Sequence, residues 1–180
     1  MLDFACYYEN KVQEKILSIW YNEDYKFYYS GSGYSLEEFP PDTTSSHAFV
    51  SYIETCGVRQ VIGLITYDIN RETNCISNLG IIKFPNEYED NELRRSQTFV
   101  TDLRQAIDDI FTKFNFSKIE FSVIVGNPME KGYDRWVKRF GGRVVGTFSK
   151  RVKLYDNQLY DEKFYEIMRE DYIKQRSKRK

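Results

Sequence analysis

The sequence predicts an α+β domain with a mixed, mostly antiparallel sheet, and two observations carry that prediction. Three strand-like stretches follow one another with short turns between them, over residues 48–54, 61–68 and 75–84, as in an antiparallel meander. A long amphipathic helix then precedes a further strand over residues 118–125. Strands joined by a helical crossover run parallel, so we expect the third strand of the meander to lie parallel to this later strand.

The first predicted element is an amphipathic helix over residues ~9–21. Its apolar residues recur at helical spacing: Val12, Ile16, Ile19 and Trp20. Residues 26–29 suggest a short strand, followed by an irregular loop to residue 46 that is rich in Tyr, Ser, Gly and Pro. Acidic residues in and around this loop form either a site for a cationic amine or a solvated surface. They are Glu23, Asp24, Glu37, Glu38 and Asp42.

The clearest helical pattern lies between the two crossover strands. One stripe holds its apolar residues: Phe99, Leu103, Ile107, Ile110, Phe111 and Phe114. Ser96 fits the N-cap of this helix, because its hydroxyl can accept a hydrogen bond from the first turn. Arg94 and Arg95 stand beside it. Arginine at a helix start opposes the helix dipole, so a bound anion explains the pair better than solvation does, although both interpretations remain open.

A second, shorter helix is predicted after the strand over residues 118–125. Asn127 and Pro128 fit its N-cap and first helical position, and Gly141 with Gly142 ends it. Its buried face is expected to hold five residues: Met129, Tyr133, Trp136, Val137 and Phe140.

The chain closes with two predicted strands, over residues 143–156 and 159–168. The final residues, 174–180, are strongly basic and have no apolar face. Because no repeat or linker divides the chain, we expect a single domain over residues 1–172, followed by a basic tail over residues 173–180.

Composition narrows the function classes. The 180 residues carry 26 basic and 27 acidic side chains, and this net charge of -1 does not favour a constitutive nucleic-acid binder. Residues 1–90 sum to -8 (6 basic, 14 acidic) and residues 91–180 to +7 (20 basic, 13 acidic), so an anion could lie against the second half.

No apolar run approaches the ~20 residues that span a membrane, and a cytoplasmic location is expected. Three cysteines and His47 form no zinc pattern, so no metal is expected.

Two local motifs carry a resemblance to a known family. Val-Ile-Val-Gly-Asn at residues 123–127 precedes the helix and glycine turn RWVKRFGGRVVG at residues 135–146, and a closing segment follows over residues 155–172. With the order of elements, these motifs resemble the GCN5-related N-acetyltransferase (GNAT) family, in particular its branch of ribosomal-protein alanine acetyltransferases. The resemblance implies a sheet of about six to seven strands, helices on both faces, and a parallel pair of strands that splay apart.

The resemblance also implies a site for acetyl-CoA between the splayed strands. In the family, pyrophosphate binds at the start of the central helix, where unpaired N–H groups and the helix dipole favour an anion. The residues here are Arg94, Arg95, Ser96, Gln97 and Thr98, with Gln97 and Phe99 where the family usually has small residues. The pantetheine arm would pair with the main chain of Ile81, Ile82, Lys83 and Phe84 and contact the side chain of Asn127.

Amine acetylation needs a neutral amine, a base for its proton and an acid for the departing thiolate. The resemblance places an acid tyrosine on the helix after Asn127, which makes Tyr133 the candidate; its spacing fits a core residue equally well. Glu120 and Asp68 are candidate bases only because they lie on strands, and a water-mediated base is equally open. Cys75 and His47 are interpreted as a core and a surface residue.

The favoured function is an acetyl-CoA-dependent N-acetyltransferase that acts on a primary amine, of a small molecule or a protein, by direct transfer in a ternary complex. Its expected partners are acetyl-CoA and that amine, with no nucleic acid and no membrane, and a homodimer is left open. The alternative is a catalytically weak or inactive module with the same fold that binds CoA or another partner. A nucleic-acid binder is disfavoured, because the aromatic residues follow the periods of a core.

Overall fold

The computed structural model describes residues 1–20, 22–28, 43–85, 92–154 and 156–178. Within them the strands are β1 (Leu2–Phe4), β2 (Ser46–Thr55), β3 (Val58–Asn70), β4 (Cys75–Lys83), β5 (Lys118–Ile124), β6 (Arg143–Lys153) and β7 (Leu159–Met168). The α-helices are α1 (Glu9–Trp20), α2 (Glu92–Thr112), α3 (Glu130–Arg139) and α4 (Arg169–Ser177). Short 3-10 helices cover Ala5–Tyr8 and Glu23–Tyr28.

The strands form one mixed sheet in the order β1-β2-β3-β4-β5-β7-β6. The β4–β5 pair is parallel and the other neighbours are antiparallel. The predicted α+β class, the meander and the parallel pair joined by a helical crossover are therefore confirmed.

Helices cover both faces of the sheet, as predicted. On one face α1 buries Val12, Ile16 and Ile19 against β2 and β3. On the other face α2, α3 and α4 share one core, which includes Phe99, Ile107, Phe111, Val137 and Tyr172. None of the described helices is both long enough and apolar enough to cross a membrane.

The parallel strands β4 and β5 pair over two positions, Cys75↔Lys118 and Ile76↔Ile119, and then separate. A β-bulge immediately follows on β4: Ser77 pairs with Asp68 on β3 and Gly80 with Thr66, so two β4 residues oppose one β3 residue. Asn78 in this bulge has a φ of 51°, in the left-handed region that Asn tolerates better than most residues. Because a bulge bends its own strand, it accounts for the divergence that produces the predicted splayed pair.

Predictions of local structure were wrong at several positions. Residues 26–29 do not begin a strand, because Glu23–Tyr28 is a 3-10 helix. Adjacent residues Lys26 and Phe27 both contact Tyr160, whereas a strand would point them to opposite faces. From residue 29 to residue 42 the predicted loop lies outside the described residues, and this part includes Glu37, Glu38 and Asp42. The side chains of Glu23 and Asp24 are not described either.

The second error concerns Ser96, which is not an N-cap because α2 already includes Glu92. The inner stripe of α2 continues through Arg95, which is buried (5% exposed), and a count of apolar residues misses a buried arginine. The sequence pattern also did not indicate α4, which extends through Ser177 into the predicted basic tail. Tyr172 stacks on Phe111 with ring centroids 4.7 Å apart, and Arg176 pairs with Asp108. The division at residue 172 remains a prediction.

The contact between β3 and α2 gives a test of this packing. A methyl group at Gly63 would overlap the Phe99 ring and approach the Ile82 carbonyl oxygen to 2.9 Å. We therefore expect Gly63→Ala to lower the free energy of unfolding by about 1–3 kcal/mol, the usual cost of overpacking. Chemical denaturation measures it. Gly146→Ala is the control, since a Cβ there meets nothing within 4 Å, and should change stability by no more than about 0.5 kcal/mol. Equal effects of the two variants would contradict this packing.

Candidate active site

The gap between β4 and β5 has a strand edge along one wall. Past the bulge, β4 pairs with β3 on one side through Ile81, Ile82 and Lys83. Phe84 is buried against α1, and its N–H donates to the carbonyl oxygen of Ile62 on β3 (3.0 Å). Since successive main-chain groups alternate in direction, those of Ile81 and Lys83 point into the gap and those of Ile82 and Phe84 point toward β3. Two of the four predicted pantetheine contacts are thus presented by this edge.

The end of β4 and the first turns of α2 meet in a small polar cluster. The Lys83 ammonium forms an ion pair with Glu92 and donates to Ser96 Oγ (2.7 Å). Ser96 Oγ in turn donates to Glu92 Oε1 (3.1 Å). The hydrogen bond from Lys83 is the main cause that lowers the pKa of the Glu92 carboxyl below its usual range. Glu92 therefore occupies, from within the chain, the position where Lys83 and Ser96 would hold an anion.

All the predicted phosphate ligands lie within α2 rather than in a loop before it, and Lys83 was predicted only as a main-chain contact of pantetheine. Arg94 and Gln97 are exposed and Thr98 is half-buried. Arg95 is on the buried face, and its charge also helps to lower the pKa of Glu92. Of this predicted set, Ser96 contacts Lys83 and Arg94 is exposed, whereas Arg95 belongs to the packed side of the helix.

Asn127 lies in the turn between β5 and α3. Its side-chain Oδ1 accepts a hydrogen bond from the Met129 N–H (2.9 Å), and its main-chain oxygen accepts one from the Glu130 N–H (2.9 Å). The side chain thus holds the turn that leads into α3, whose regular part begins at Glu130, three residues after the predicted N-cap. The predicted contact of this side chain with pantetheine stays a prediction.

Tyr133 lies on the inner face of α3, half-buried in an aromatic cluster above β5. Its ring meets Phe121 edge to face, with centroids 5.8 Å apart, and Trp136 meets Phe121 in the same way at 5.6 Å. Because Phe121 belongs to the strand that forms the second wall of the gap, Tyr133 lies beside that wall. The predicted core role is present, and the acid role remains a prediction.

The other candidates do not converge on the gap. Asp68 accepts hydrogen bonds from Ser46 Oγ (2.7 Å) and Asn78 Nδ2 (2.8 Å), which braces the bulge. Glu120 pairs with Lys118. Cys75 is buried at the closed end of the gap, beside the paired start of β5. Among the described residues, no group of His, Cys, Asp or Glu side chains is arranged to hold a metal ion.

An ionic network beneath α3 was missed by sequence reasoning. Lys163 on β7 pairs with Glu130 and lies 3.4 Å from Asp134 Oδ2, with less than a fifth of the Lys163 and Glu130 side chains exposed. Tyr165 OH donates to Asp134 Oδ1 (2.8 Å), and the Gly126 N–H donates to Glu130 Oε2 (3.0 Å). The sequence does contain a pattern that could have indicated this network: Glu130 and Asp134 are four apart on a helix, and Lys163 and Tyr165 are two apart on a strand. The network ties α3 to β7 and to the turn that carries Asn127.

The comparisons with known proteins concern the architecture. No protein-family model matches the sequence, and no curated protein is found to match it. A chimera of the spermidine N-acetyltransferase SpeG from Vibrio cholerae and hSSAT matches with 20% identity and a TM-score of 0.65, covering 97% of this chain and 99% of the other. A mutant of Vibrio cholerae SpeG matches with 21% identity and a TM-score of 0.65, covering 96% and 95%.

A third structure, from Chromobacterium violaceum, is described as "probable acetyltransferases (GNAT family)". It matches with 14% identity and a TM-score of 0.54, covering 73% of this chain and 63% of the other, so the chain spans less than two thirds of that neighbour. The chain has the GNAT fold. The predicted architecture is thereby confirmed, whereas the branch of ribosomal-protein alanine acetyltransferases stays a prediction.

The ionic network of this GNAT-fold chain gives a stability prediction with a defined pH dependence. Lys163→Met leaves the partly buried Glu130 carboxylate without its cation, and we expect it to lower the free energy of unfolding at pH 7 by about 1–3 kcal/mol. The Lys163 hydrogen bond lowers the pKa of Glu130. The pair therefore stabilises the fold above the unfolded carboxyl pKa of about 4.3, and that contribution is lost as the pH falls below it.

Denaturation of both proteins between pH 7 and 3 measures the difference, which should shrink below pH ~4.3. Lys113→Met is the control. Lys113 is exposed and pairs with Asp109 one helical turn away, so its loss should cost only about 0.3–0.5 kcal/mol. A cost for Lys163→Met that is no greater than this, or that stays constant to pH 3, would refute the network's role.

Proposed function

We propose that this protein transfers the acetyl group of acetyl-CoA to a primary amine, by direct transfer in a ternary complex. The observation that carries the proposal is the gap opened by the Asn78 bulge, which leaves the main chain of Ile81 and Lys83 facing the space beside β5. The likeness to acetyltransferase structures supports it. A cytoplasmic location and a homodimer stay predictions.

The residues present fit acetyl-CoA. Main-chain groups of Ile81 and Lys83 would pair with pantetheine amides as an added strand does. Lys83, Arg94 and Ser96 would hold the pyrophosphate, with charge-assisted hydrogen bonds worth about 1.5–3 kcal/mol each in place of the family's small loop residues. Glu92 has to release Lys83 first. Its side chain is 49% exposed, so breaking that ion pair costs about 0.2–1 kcal/mol.

When bound, acetyl-CoA would supply the acetyl group as a thioester. The chain's own contribution would be to align the arm along β4, to orient it with the Asn127 amide, and to donate a proton from Tyr133 Oη to the departing sulfur. We assign no side chain as the base, because Asp68 and Glu120 are both engaged elsewhere; the amine would lose its proton to water. The neighbours' names give spermidine as a substrate, and we propose an aliphatic amine as the acceptor here as well.

The cosubstrate site is tested by thermal unfolding with acetyl-CoA. Saturating ligand should raise the unfolding temperature of the wild type, because a ligand that binds the folded state stabilises it by RT ln(1 + [L]/Kd). Lys83→Met combined with Arg94→Glu should weaken binding at least tenfold, since two cations opposite the phosphates are removed. Lys113→Glu is the control, because it lies at the far end of the same helix. No stabilisation of the wild type by millimolar acetyl-CoA would overturn the proposal.

The acid role is tested separately with Tyr133→Phe. The ring contact with Phe121 stays, so the variant should fold and bind acetyl-CoA, while kcat for an amine acceptor should fall about 10²–10⁴-fold. Steady-state kinetics with n-butylamine and acetyl-CoA measures it. A variant with unchanged kcat would remove Tyr133 from the mechanism. A wild type that binds acetyl-CoA but transfers nothing to any amine would favour the alternative of an inactive binding module.

A further inference from the structure

The 3-10 helix Glu23–Tyr28 lies at the open end of β5. A Cβ placed on Gly126, two residues after β5, would lie 3.6 Å from Phe27 Cζ, so the Phe27 ring covers this turn. On the neighbouring strand, the Val125 N–H donates to the Asp161 carbonyl oxygen (2.9 Å), which puts Tyr160 opposite Gly126. The rings of Phe27 and Tyr160 meet edge to face with centroids 5.7 Å apart. Two aromatic rings in edge-to-face contact therefore lie where β5 ends.

A lysine from the same short helix lies against both of these rings. The Lys26 ammonium lies 5.1 Å from the Phe27 ring centroid and 5.3 Å from that of Tyr160, within the range of cation–π attraction. It donates to Tyr160 Oη (3.0 Å) and reaches Asp156 Oδ2 at 3.4 Å. The ammonium thus meets two rings, a hydroxyl and a carboxylate.

Phe27, Tyr160 and Asp156 thus form a cage around the Lys26 ammonium. The Asp156 carboxylate of this cage is held in place by its own hydrogen bonds. Tyr160 OH donates to Asp156 Oδ2 (2.6 Å), and the Gln158 N–H donates to Asp156 Oδ1 (3.0 Å). These bonds, with that from Lys26, lower the pKa of the Asp156 carboxyl, so it is ionised at pH 7. Two rings and a carboxylate are complementary to an alkyl chain that ends in a positive charge.

The geometry points to an alkylammonium-binding subsite made by Phe27, Tyr160 and Asp156, which Lys26 fills in this structure and which takes up the ammonium group of an aliphatic amine when Lys26 swings out. The Lys26 side chain is 35% exposed, so it can leave toward solvent without disturbing the core. The binding claim stands apart from acetyl transfer. That the bound amine is the acceptor rests on the proposed function. The cage lies at the end of β5, the strand that forms one wall of the gap and leads to Asn127.

Self-occupation makes a specific prediction about affinity. An external amine binds only the fraction of molecules in which the cage is open, so its apparent affinity is reduced by that fraction. Lys26→Met removes the competing charge but keeps an unbranched apolar stem. The probe is n-butylammonium, which reproduces the lysine side chain beyond Cα, and the readout is the shift of the Gly126 amide resonance in a titration without acetyl-CoA.

We expect Lys26→Met to bind n-butylammonium at least fivefold more tightly than the wild type. Adding Asp156→Asn or Tyr160→Leu to Lys26→Met should remove the gain, and 1-butanol, which lacks the charge, should not bind either protein. Lys15→Met is the matched control, because Lys15 also lies over an aromatic ring, that of Phe84, which is not part of the cage. It should bind as the wild type does.

Equal affinities of Lys26→Met and wild type, with both proteins folded by thermal unfolding, would overturn the subsite. So would equal binding of 1-butanol, or a gain that survives either Asp156→Asn or Tyr160→Leu. Because the titration contains no acetyl-CoA, these outcomes are independent of whether the cosubstrate site exists. A failed acetyl-CoA titration beside a successful amine titration would remove the acetyltransferase and keep the subsite.

Discussion

The bulge at Asn78 is the constraint on which the candidate site depends. It follows directly on the last β4–β5 pair, and its bend is held by hydrogen bonds that cross three strands: Asn78 donates to Asp68, which also accepts from Ser46. Without the bend, β4 would continue to pair with β5, and the main chain of Ile81 and Lys83 would be consumed by the sheet. The start of α2 follows β4, so the cluster of Lys83, Glu92 and Ser96 also owes its position to this bend. The bend at this left-handed residue thus positions both the gap and the polar cluster at the end of β4.

The charge asymmetry between the two halves of the chain is a poorer guide to the site than the ion pairs are. Much of the positive charge in the second half is paired within that half: Lys163 with Glu130, Arg143 with Glu166, and Arg176 with Asp108. The cations near the gap include Lys83, which belongs to the first half. A sum over 90 residues averages such pairs away, whereas a site depends on the few charges that a ligand can reach and displace.

The sequence determined the sheet better than it determined the site. Alternation located β2, β3, β4 and β5 within a few residues, because burial of one or both faces leaves a periodic signal. The 3-10 helix at Glu23–Tyr28 and the extension of α4 leave no such signal, since each is held by a few specific contacts, such as Lys26 with Tyr160 and Arg176 with Asp108. The start of α2 was predicted too late for a related reason. Arg95 is buried, and hydrophobic periodicity does not count a buried arginine. Lys83 was predicted from the family resemblance and only as a main-chain contact; the ion pair of its side chain with Glu92 and the Lys163 network were not predicted.

The two positions proposed to receive ligands are both occupied by the chain itself, which sets limits on affinity. Glu92 holds Lys83, and Lys26 fills the cage of Phe27, Tyr160 and Asp156. Displacing a half-exposed pair such as that of Glu92 costs about 0.2–1 kcal/mol, or roughly 1.4- to 5-fold in affinity. This cost lowers affinity without preventing binding, because a pyrophosphate brings more negative charge to Lys83 than one carboxylate does. The chain's own side chains therefore pair with Lys83 and with the cage in the free protein. A ligand displaces them where it binds more tightly than they do, because it carries more charge or fits the site better.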